Sequence, residues 1–440
     1  MLRQGWAIAA VSLFSFAGAT AAPGQTLVAF PGAEGFGAVA KGGRGGRVIK
    51  VTNLNADGPG SLQAACGEEG PRTIVFEVGG VIEGNVVIEH GDVSVLGQTA
   101  PGAGITIAGS LMTRYRARQP IDELVVRFLR VRPPNARGAS GDAIQFSENK
   151  RVILDHVSCS WAADESVDIF GAQDVTIQWC SIEESLVTGH PEGRHNYGLI
   201  SGPNGVRVSI HHTLFAHHAR RCPAIANGPA DVRNNVVYDF RDGFLHDNRP
   251  NDGGYNIVGN YYKRGPSDAK IFPFCFRDMV RYYVRDNYID GVGHVQDPWA
   301  EAGKLEGLAY YAGKGRKAER EVAVAKVTTH DPLEAYRLVL QQAGGLPRDA
   351  VTRRIVEEVK TGTGSWGRKD QADLLEGLKP AAAAADSDGD GMADAWESAH
   401  GLDPKNPGDH SKAIAGGYTA IEAYCNELAE RLIAESTGRQ

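Results

Sequence analysis

Seven segments of this chain share one pattern: Val126-Arg-Phe-Leu-Arg-Val131, Leu154-Asp-His-Val-Ser-Cys159, Ile177-Gln-Trp-Cys-Ser-Ile182, Ile210-His-His-Thr-Leu-Phe215, Val232-Arg-Asn-Asn-Val-Val237, Ile257-Val-Gly-Asn-Tyr-Tyr262 and Val284-Arg-Asp-Asn-Tyr-Ile289. Their starts lie 28, 23, 33, 22, 25 and 27 residues apart, a period that belongs to solenoids. Each unit holds a short strand with no room for a crossover helix, so successive strands must stack in parallel as coils. The fold class is therefore all-β, a parallel β-helix. The fourth position of each unit becomes a column, Leu129, Val157, Cys180, Thr213, Asn235, Asn260, Asn287. Asparagine tolerates left-handed backbone and can bond to the next asparagine, so the column is expected to stack along a turn. The 33-residue step carries about ten extra residues around Thr188-Gly-His-Pro-Glu-Gly-Arg-His-Asn-Tyr197. Insertions in a solenoid leave as loops on one face, often the binding face.

The rest of the chain divides around this body. Arg3, the apolar run Trp6 to Ala17 and Ala19-Thr-Ala21 read as a signal peptide over residues 1–21, too short to span a bilayer, which needs roughly 20 residues. A secreted monomer without a membrane span is expected. Residues 22–300 are assigned to the β-helix and 301–379 to a helical extension packed on it. Asp331-Pro332 opens one helix there, and Arg348 to Lys360 forms another ending at Gly362. Pro380 and Ala381 to Ala385 form a linker, and 386–440 a C-terminal module.

Charge and cysteines narrow the partners. A net charge of −7 argues against a nucleic-acid binder, yet Arg207, Arg220, Arg221, Arg233, Arg241 and Arg249 crowd one stretch, a candidate anion site. Six cysteines permit disulfides in an exported chain, but none has CxxC spacing, so zinc or redox motifs are disfavoured and buried apolar roles favoured.

Two acidic groups suggest metal. Asp386-Ser-Asp-Gly-Asp-Gly-Met-Ala-Asp-Ala-Trp-Glu397 places Asp386, Asp388, Asp390, the Met392 carbonyl, Asp394 and Glu397 at EF-hand loop positions 1, 3, 5, 7, 9 and 12. This site reads as structural calcium. Asp142, Asp164, Glu165 and Asp168 form the second group. Strand parity puts Asp164 and Asp168 on one face and Glu165 on the other. A straight strand would separate Asp164 from Asp168 by roughly 13 Å, so the chain bends between them or they share no ion. Asp142 approaches from the preceding coil, and a solvated acidic face is the alternative. His211 and His212 project to opposite sides of a strand, which favours stacking or turn roles over zinc. Gly42-Gly-Arg-Gly-Gly46 lacks the Lys-Ser/Thr ending of a phosphate loop and reads as turn glycines.

Over roughly residues 27 to 300 the chain resembles the pectate lyase family of right-handed parallel β-helices. The resemblance rests on Ala29-Phe-Pro-Gly-Ala-Glu-Gly-Phe-Gly37, Gly42-Gly-Arg-Gly-Gly46, Gly58-Pro-Gly-Ser-Leu62, Ile153-Leu-Asp-His156, Val167-Asp-Ile169 and Arg221-Cys-Pro223. The Asp331 to Gly364 segment also looks like the tail of an exported bacterial branch. The resemblance implies a calcium-dependent lyase acting on polygalacturonate, with Asp142, Asp164 and Asp168 as calcium ligands and Arg221 as the base that removes the C5 proton. Because guanidinium is a weak base at neutral pH, an alkaline optimum is implied. Three positions depart from the family pattern. Ser140 stands where many members carry a second acid, which makes Glu165 a replacement ligand. Thr188 falls near the family lysine, leaving His190, Arg194 and His195 as substitutes. Ala226 replaces a second arginine, leaving Asn227, Arg233 or Arg249, beside Arg220, for substrate. The competing readings are a polygalacturonase-type hydrolase, whose Asn-Thr-Asp and Gly-His-Gly signatures are missing from the sequence, and a non-catalytic β-helix that binds uronate polymers.

Overall fold

The computed structural model describes residues 27–114, 117–133, 141–246, 251, 253–310, 315–367 and 373–438. The expected signal peptide, Ser140 and Arg249 lie outside the described residues.

Parallel strands wind into a solenoid with three faces. The first sheet has 11 strands, from Arg47–Val51 to Arg316–Lys317. The second has 10, from Gly80–Glu83 to Gly293–Val295. The third runs from Val86–Ile88 to Ala224–Ile225 and is continued, through an Ala224 to Leu245 bridge, by a short sheet beginning at Asp242–Phe244. One coil visits each face in turn, as Lys150–Asp155, Ser158–Ser160 and Glu165–Asp168 show before the chain re-enters the first sheet at Gln173–Gln178.

The repeat register is the structural register. Val126, Leu154, Ile177, Ile210, Val232, Ile257 and Val284 sit one above another in the first sheet, and all are buried in one continuous core. The corner that follows explains the rest of the motif. Left-handed backbone falls at the third position of each unit, with positive φ at Phe128, His156, Trp179, His212, Asn234, Gly259 and Asp286. The fourth position was the expected place for it; instead that residue supplies hydrogen bonds. The amides of Thr213, Asn235 and Asn260 donate to the Oδ1 atoms of Asn235, Asn260 and Asn287 at 3.0, 2.9 and 3.0 Å. Outside the corner, Phe128, His156, Trp179 and His212 form a ring stack. This is the stacking role the sequence assigns to His212. His211 is also buried, burial pushes its pKa down to about 3, and its Nδ1 lies 3.0 Å from His212 Nδ1.

Several elements clamp the solenoid. Helix α1 (Leu62–Gly67) is capped by the Ser61 side chain and buries Leu62, Ala65 and Cys66 in the core. Helices α2 (Pro332–Gln342) and α3 (Ala350–Thr361) begin at Asp331 and Asp349, whose carboxylates accept from backbone amides, and α3 ends at left-handed Gly362. Val351, Ile355, Val356 and Val359 of α3 pack on Trp161, Leu214, Val236 and Tyr238. Fully buried Arg132 joins this helix to the coils, reaching Asp349 at 3.0 Å and Glu183 at 2.6 Å. The solenoid runs on to Lys317 rather than stopping at 300, because Arg316–Lys317 pairs with the first-sheet strand Arg281–Arg285. Residues 318–331 then run back over that sheet, where Val322 bonds Asn256 and Thr328 bonds Glu34. Helices α4 (Asp394–Ala399) and α5 (Ala420–Thr437) close the chain. Met392, Trp396, Ile421 and Cys425 share a core with Phe30, Val75, Leu96 and Ile153, so residues 386–438 lie against the first coils. All six cysteines are free thiols, and five are buried.

Asn260 is fully buried and bonded on both sides. Asn260→Ala should lower the urea midpoint, at a cost of about 1–3 kcal/mol for the orphaned backbone groups. His217 sits between Asp239 at 2.8 Å and Glu358 of α3 at 2.9 Å. Burial opposes its charge, but the two carboxylates outweigh burial and raise its pKa. Its stabilisation is full below the unfolded value of about 6.5 and is lost as pH rises through the raised folded value. His217→Gln should therefore lower the melting temperature more at pH 6 than at pH 9.

Candidate active site

The acidic residues of the central coils gather on the third sheet. Asp142 precedes the strand Ile144–Gln145, which pairs with Val167 and Asp168 of Glu165–Asp168 on the next coil. Val167 and Ile144 point into the core, leaving Asp168 on the outer side. Between the coils, the amide of Glu165 donates to Asp142 Oδ1 at 3.0 Å, and within the later coil Phe170 N donates to Asp168 Oδ1 at 2.6 Å. Oxygens of Asp142, Glu165 and Asp168 lie within 4.8 Å of one another.

Asp164 takes a different direction. The amides of Ala163 and Asp164 both bond Gly141 O, a bend just before the strand that overrides simple parity. Asp164 Oδ1 meets His195 Nδ1 at 2.6 Å, and its Oδ2 lies 3.5 Å from His190 Nε2. Glu165, assigned to the opposite face by parity, joins Asp142 and Asp168 instead because it sits at the strand's entry, where alternation has not yet been established. Asp164 still adds its negative charge to the neighbourhood. Burial first, then the charges of Asp168 and Asp164, hold the Asp142 pKa well above the usual carboxylate range, with Arg221 opposing. Burial pushes Asp168 up to about 6, with the Phe170 amide opposing and Asp164 reinforcing the rise.

A stack of rings leads from the inserted loop to Arg221. His190 and His195 stack at 3.6 Å, His195 and Tyr197 at 4.6 Å, and the Arg221 guanidinium lies 4.1 Å from the Tyr197 ring centre. Arg221 also forms an ion pair with Glu165. Its backbone is left-handed, with φ 64°, and its carbonyl accepts from Leu199 N at 2.7 Å. Gly198 makes that approach possible, since a Cβ there would lie 2.4 Å from Arg221 O. Tyr197 was not among the candidate residues. Its signal was its place at the end of the inserted loop, two residues after His195.

The remaining candidates differ in their placement. Arg194 lies over the Trp366 ring at 4.9 Å. Arg220 reaches Asp242 at 3.0 Å and passes 5.9 Å from Tyr197, beside the site. Asn227 lies beyond Ala224–Ile225, past the level of Asp168. Arg233 is on the first sheet, paired with Asp231 and Glu321.

Fold and site together define a parallel β-helix protein with a carboxylate triad and a stacked arginine on one outer face. No protein-family profile matches the chain. A probable pectate lyase C of Neosartorya fischeri is 37% identical over 433 residues, covering 95% of this chain and 97% of that protein. The probable pectate lyase C of Aspergillus terreus is 36% identical over 437 residues, covering 95% and 98%. Among solved structures, a thermostable pectate lyase superposes with a TM-score of 0.51 at 14% identity, covering 71% of this chain and 97% of that one. The major allergen from cedar pollen gives 0.50 at 15%, covering 71% and 93%; these two likenesses speak to the fold. The chain belongs to the pectate lyase family and is a polysaccharide lyase. These two curated relatives are fungal, so they do not support the bacterial branch suggested by the Asp331 to Gly364 segment. Among the described residues, no helix is long and apolar enough to cross a membrane.

If Asp168 contributes directly to a cation site and Asp164 only anchors the loop, two variants should separate them. By calorimetry, Asp168→Asn should weaken divalent-cation binding about tenfold or more, a step of about 1.4 kcal/mol. Asp164→Asn should change that affinity far less while accelerating proteolysis within residues 188–196.

Proposed function

We propose that the chain is a secreted, calcium-dependent pectate lyase that cleaves (1→4)-linked polygalacturonate by β-elimination, with Arg221 as the base. The observation that carries this reading is the meeting, on one outer face, of the Asp142, Glu165 and Asp168 oxygens with the guanidinium of Arg221. The donor set fits calcium. It is all oxygen, as a hard cation requires, and the burial and like charge that raise Asp142 and Asp168 would be offset by a cation.

Asp142, Glu165 and Asp168 would hold the ion, and Glu165 also pairs with Arg221. Bound calcium would supply electron withdrawal from the uronate carboxylate, which acidifies the adjacent C5–H. Arg221 in its neutral form then takes the C5 proton, the C5–H electron pair forms the C4=C5 double bond, and the C4–O4 bond breaks, with O4 leaving as an alkoxide that takes a proton from water. The Tyr197 face and Glu165 fix the guanidinium in one direction, so little reorientation is needed when substrate arrives. Glu165 also favours the charged guanidinium, which opposes proton acceptance. Activity should therefore rise towards alkaline pH. His190 and His195, held by Asp164, are positioned as a wall for the polymer, in place of the family lysine. Arg220 extends the cationic edge.

The test is absorbance of the unsaturated uronide released from polygalacturonate. Product should form with calcium and stop with chelator; new reducing ends without that absorbance would instead mean hydrolysis. Arg221→Lys should lower kcat by about 10²-fold or more, the scale of general-base catalysis, with unchanged circular dichroism. Retained activity would remove Arg221 as the base.

A further inference from the structure

A second acidic centre lies in residues 386–409, among groups that the proposed lyase chemistry does not use. Glu397, on α4, is fully buried, and Asp390 and Asp409 are 4% and 8% exposed. Ligand oxygens of these three residues lie within 4.8 Å of one another, and Asp390 also belongs to a triad with Asp386 and Asp388. The decisive feature is what those oxygens lack. Both carboxylate oxygens of Glu397, together with Asp388 Oδ2, Asp390 Oδ2 and Asp409 Oδ1, are buried with no hydrogen-bond partner. Five such oxygens on four carboxylates cannot stay ionised together in a buried site without a cation.

The neighbouring acids are committed elsewhere. Asp394, which loop spacing places at position 9, accepts from Ser387 N and Oγ at 2.7 Å each. Asp386 accepts from Gly389 N and Gly391 N and pairs with Lys50 at 3.0 Å. Asp409 comes from twelve residues beyond Glu397. Its Oδ2 is fixed by Asp403 N at 3.0 Å, which leaves Oδ1 for the centre.

We propose that Asp388, Asp390, Glu397 and Asp409 hold a calcium ion that fastens the C-terminal segment to the first coils of the β-helix. The metal class follows from the donors, which are carboxylate oxygens with no thiolate or imidazole among them. Their number suits calcium, which takes 6–8 oxygens, better than magnesium, which keeps several waters. The mechanical consequence follows from the neighbours. Trp396, next to Glu397, is buried against the strands carrying Val75 and Leu96, and Asp386 reaches Lys50 and through it Glu77. Neutralising the buried carboxylates therefore favours the docked arrangement of α4 and α5 on the first sheet.

The full-length protein carrying Asp142→Asn and Asp168→Asn removes two of the three active-site acids and leaves this centre intact. After chelator treatment, added calcium should still raise its melting temperature by several degrees, and calorimetry should detect binding. Adding Asp409→Asn should weaken that binding about tenfold or more, whereas adding Asp394→Asn should change it by less than about twofold. If calcium neither binds nor shifts the melting temperature in the Asp142→Asn/Asp168→Asn protein, the proposal fails. If Asp394→Asn is as damaging as Asp409→Asn, this ligand set is wrong. Glu397→Gln provides an additional check, because it should abolish the calcium response in any fraction that folds.

Discussion

From Phe128 to Asp286 each coil turns the corner between its first and second strands with one left-handed residue, and in the later coils the residue that follows is hydrogen-bonded to the next coil. The left-handed conformation is costly for a non-glycine side chain, yet it recurs at Phe128, His156, Trp179, His212, Asn234 and Asp286. The cost is offset collectively. Ring stacking lines the corner over the central coils, and the asparagine column satisfies backbone amides over the later ones. Once the corners are aligned, each strand lies on its counterpart, and a carboxylate on one coil can stand beside a carboxylate on the next.

That alignment also brings charge into dry surroundings. Arg132, Glu183 and Asp349 are all fully or almost fully buried and are joined at 2.6 and 3.0 Å. A buried network of this kind contributes little net stability compared with apolar packing, but losing one member leaves an uncompensated charge. Its value here is placement, since it fixes the start of α3 against the second sheet. His217 fixes the other end through Glu358. The carboxylates of the third sheet form a contrasting arrangement: burial and neighbouring like charge raise both Asp142 and Asp168, and Arg221 opposes the rise at Asp142. The Arg132 network therefore neutralises its own acids internally, whereas the third-sheet carboxylates and the buried acids of residues 388–409 are left incompletely compensated.

The solenoid was legible because its repeat is local and redundant. Seven copies of a six-residue pattern independently specify the same stacking, and the helix start at Asp331 and the helix end at Gly362 are short-range signals. The site was legible only in outline. Asp142, Asp168 and Arg221 were recognisable from their motifs, but the distinction between Asp164 and Glu165 depended on a bend at Ala163 that breaks strand alternation. Tyr197 was hidden because an aromatic residue at a loop end has many ordinary uses. Asp409 lies outside the twelve-residue loop pattern, and Asp394 fits that pattern while its carboxylate turns to Ser387.

The sequence by itself determined the coil period, the strand register, the inward-facing core and the helix ends, because each depends on residues close in the chain or on a repeated spacing. Tertiary structure alone decided which acids meet, what Arg221 rests against and where the C-terminal segment lies. Those outcomes depend on contacts between residues from 23 to more than 300 positions apart, such as Glu165 with Asp142 and Cys425 with Gln98. A shift of one residue or one bend reverses the direction of a side chain without altering the pattern that predicts the strand.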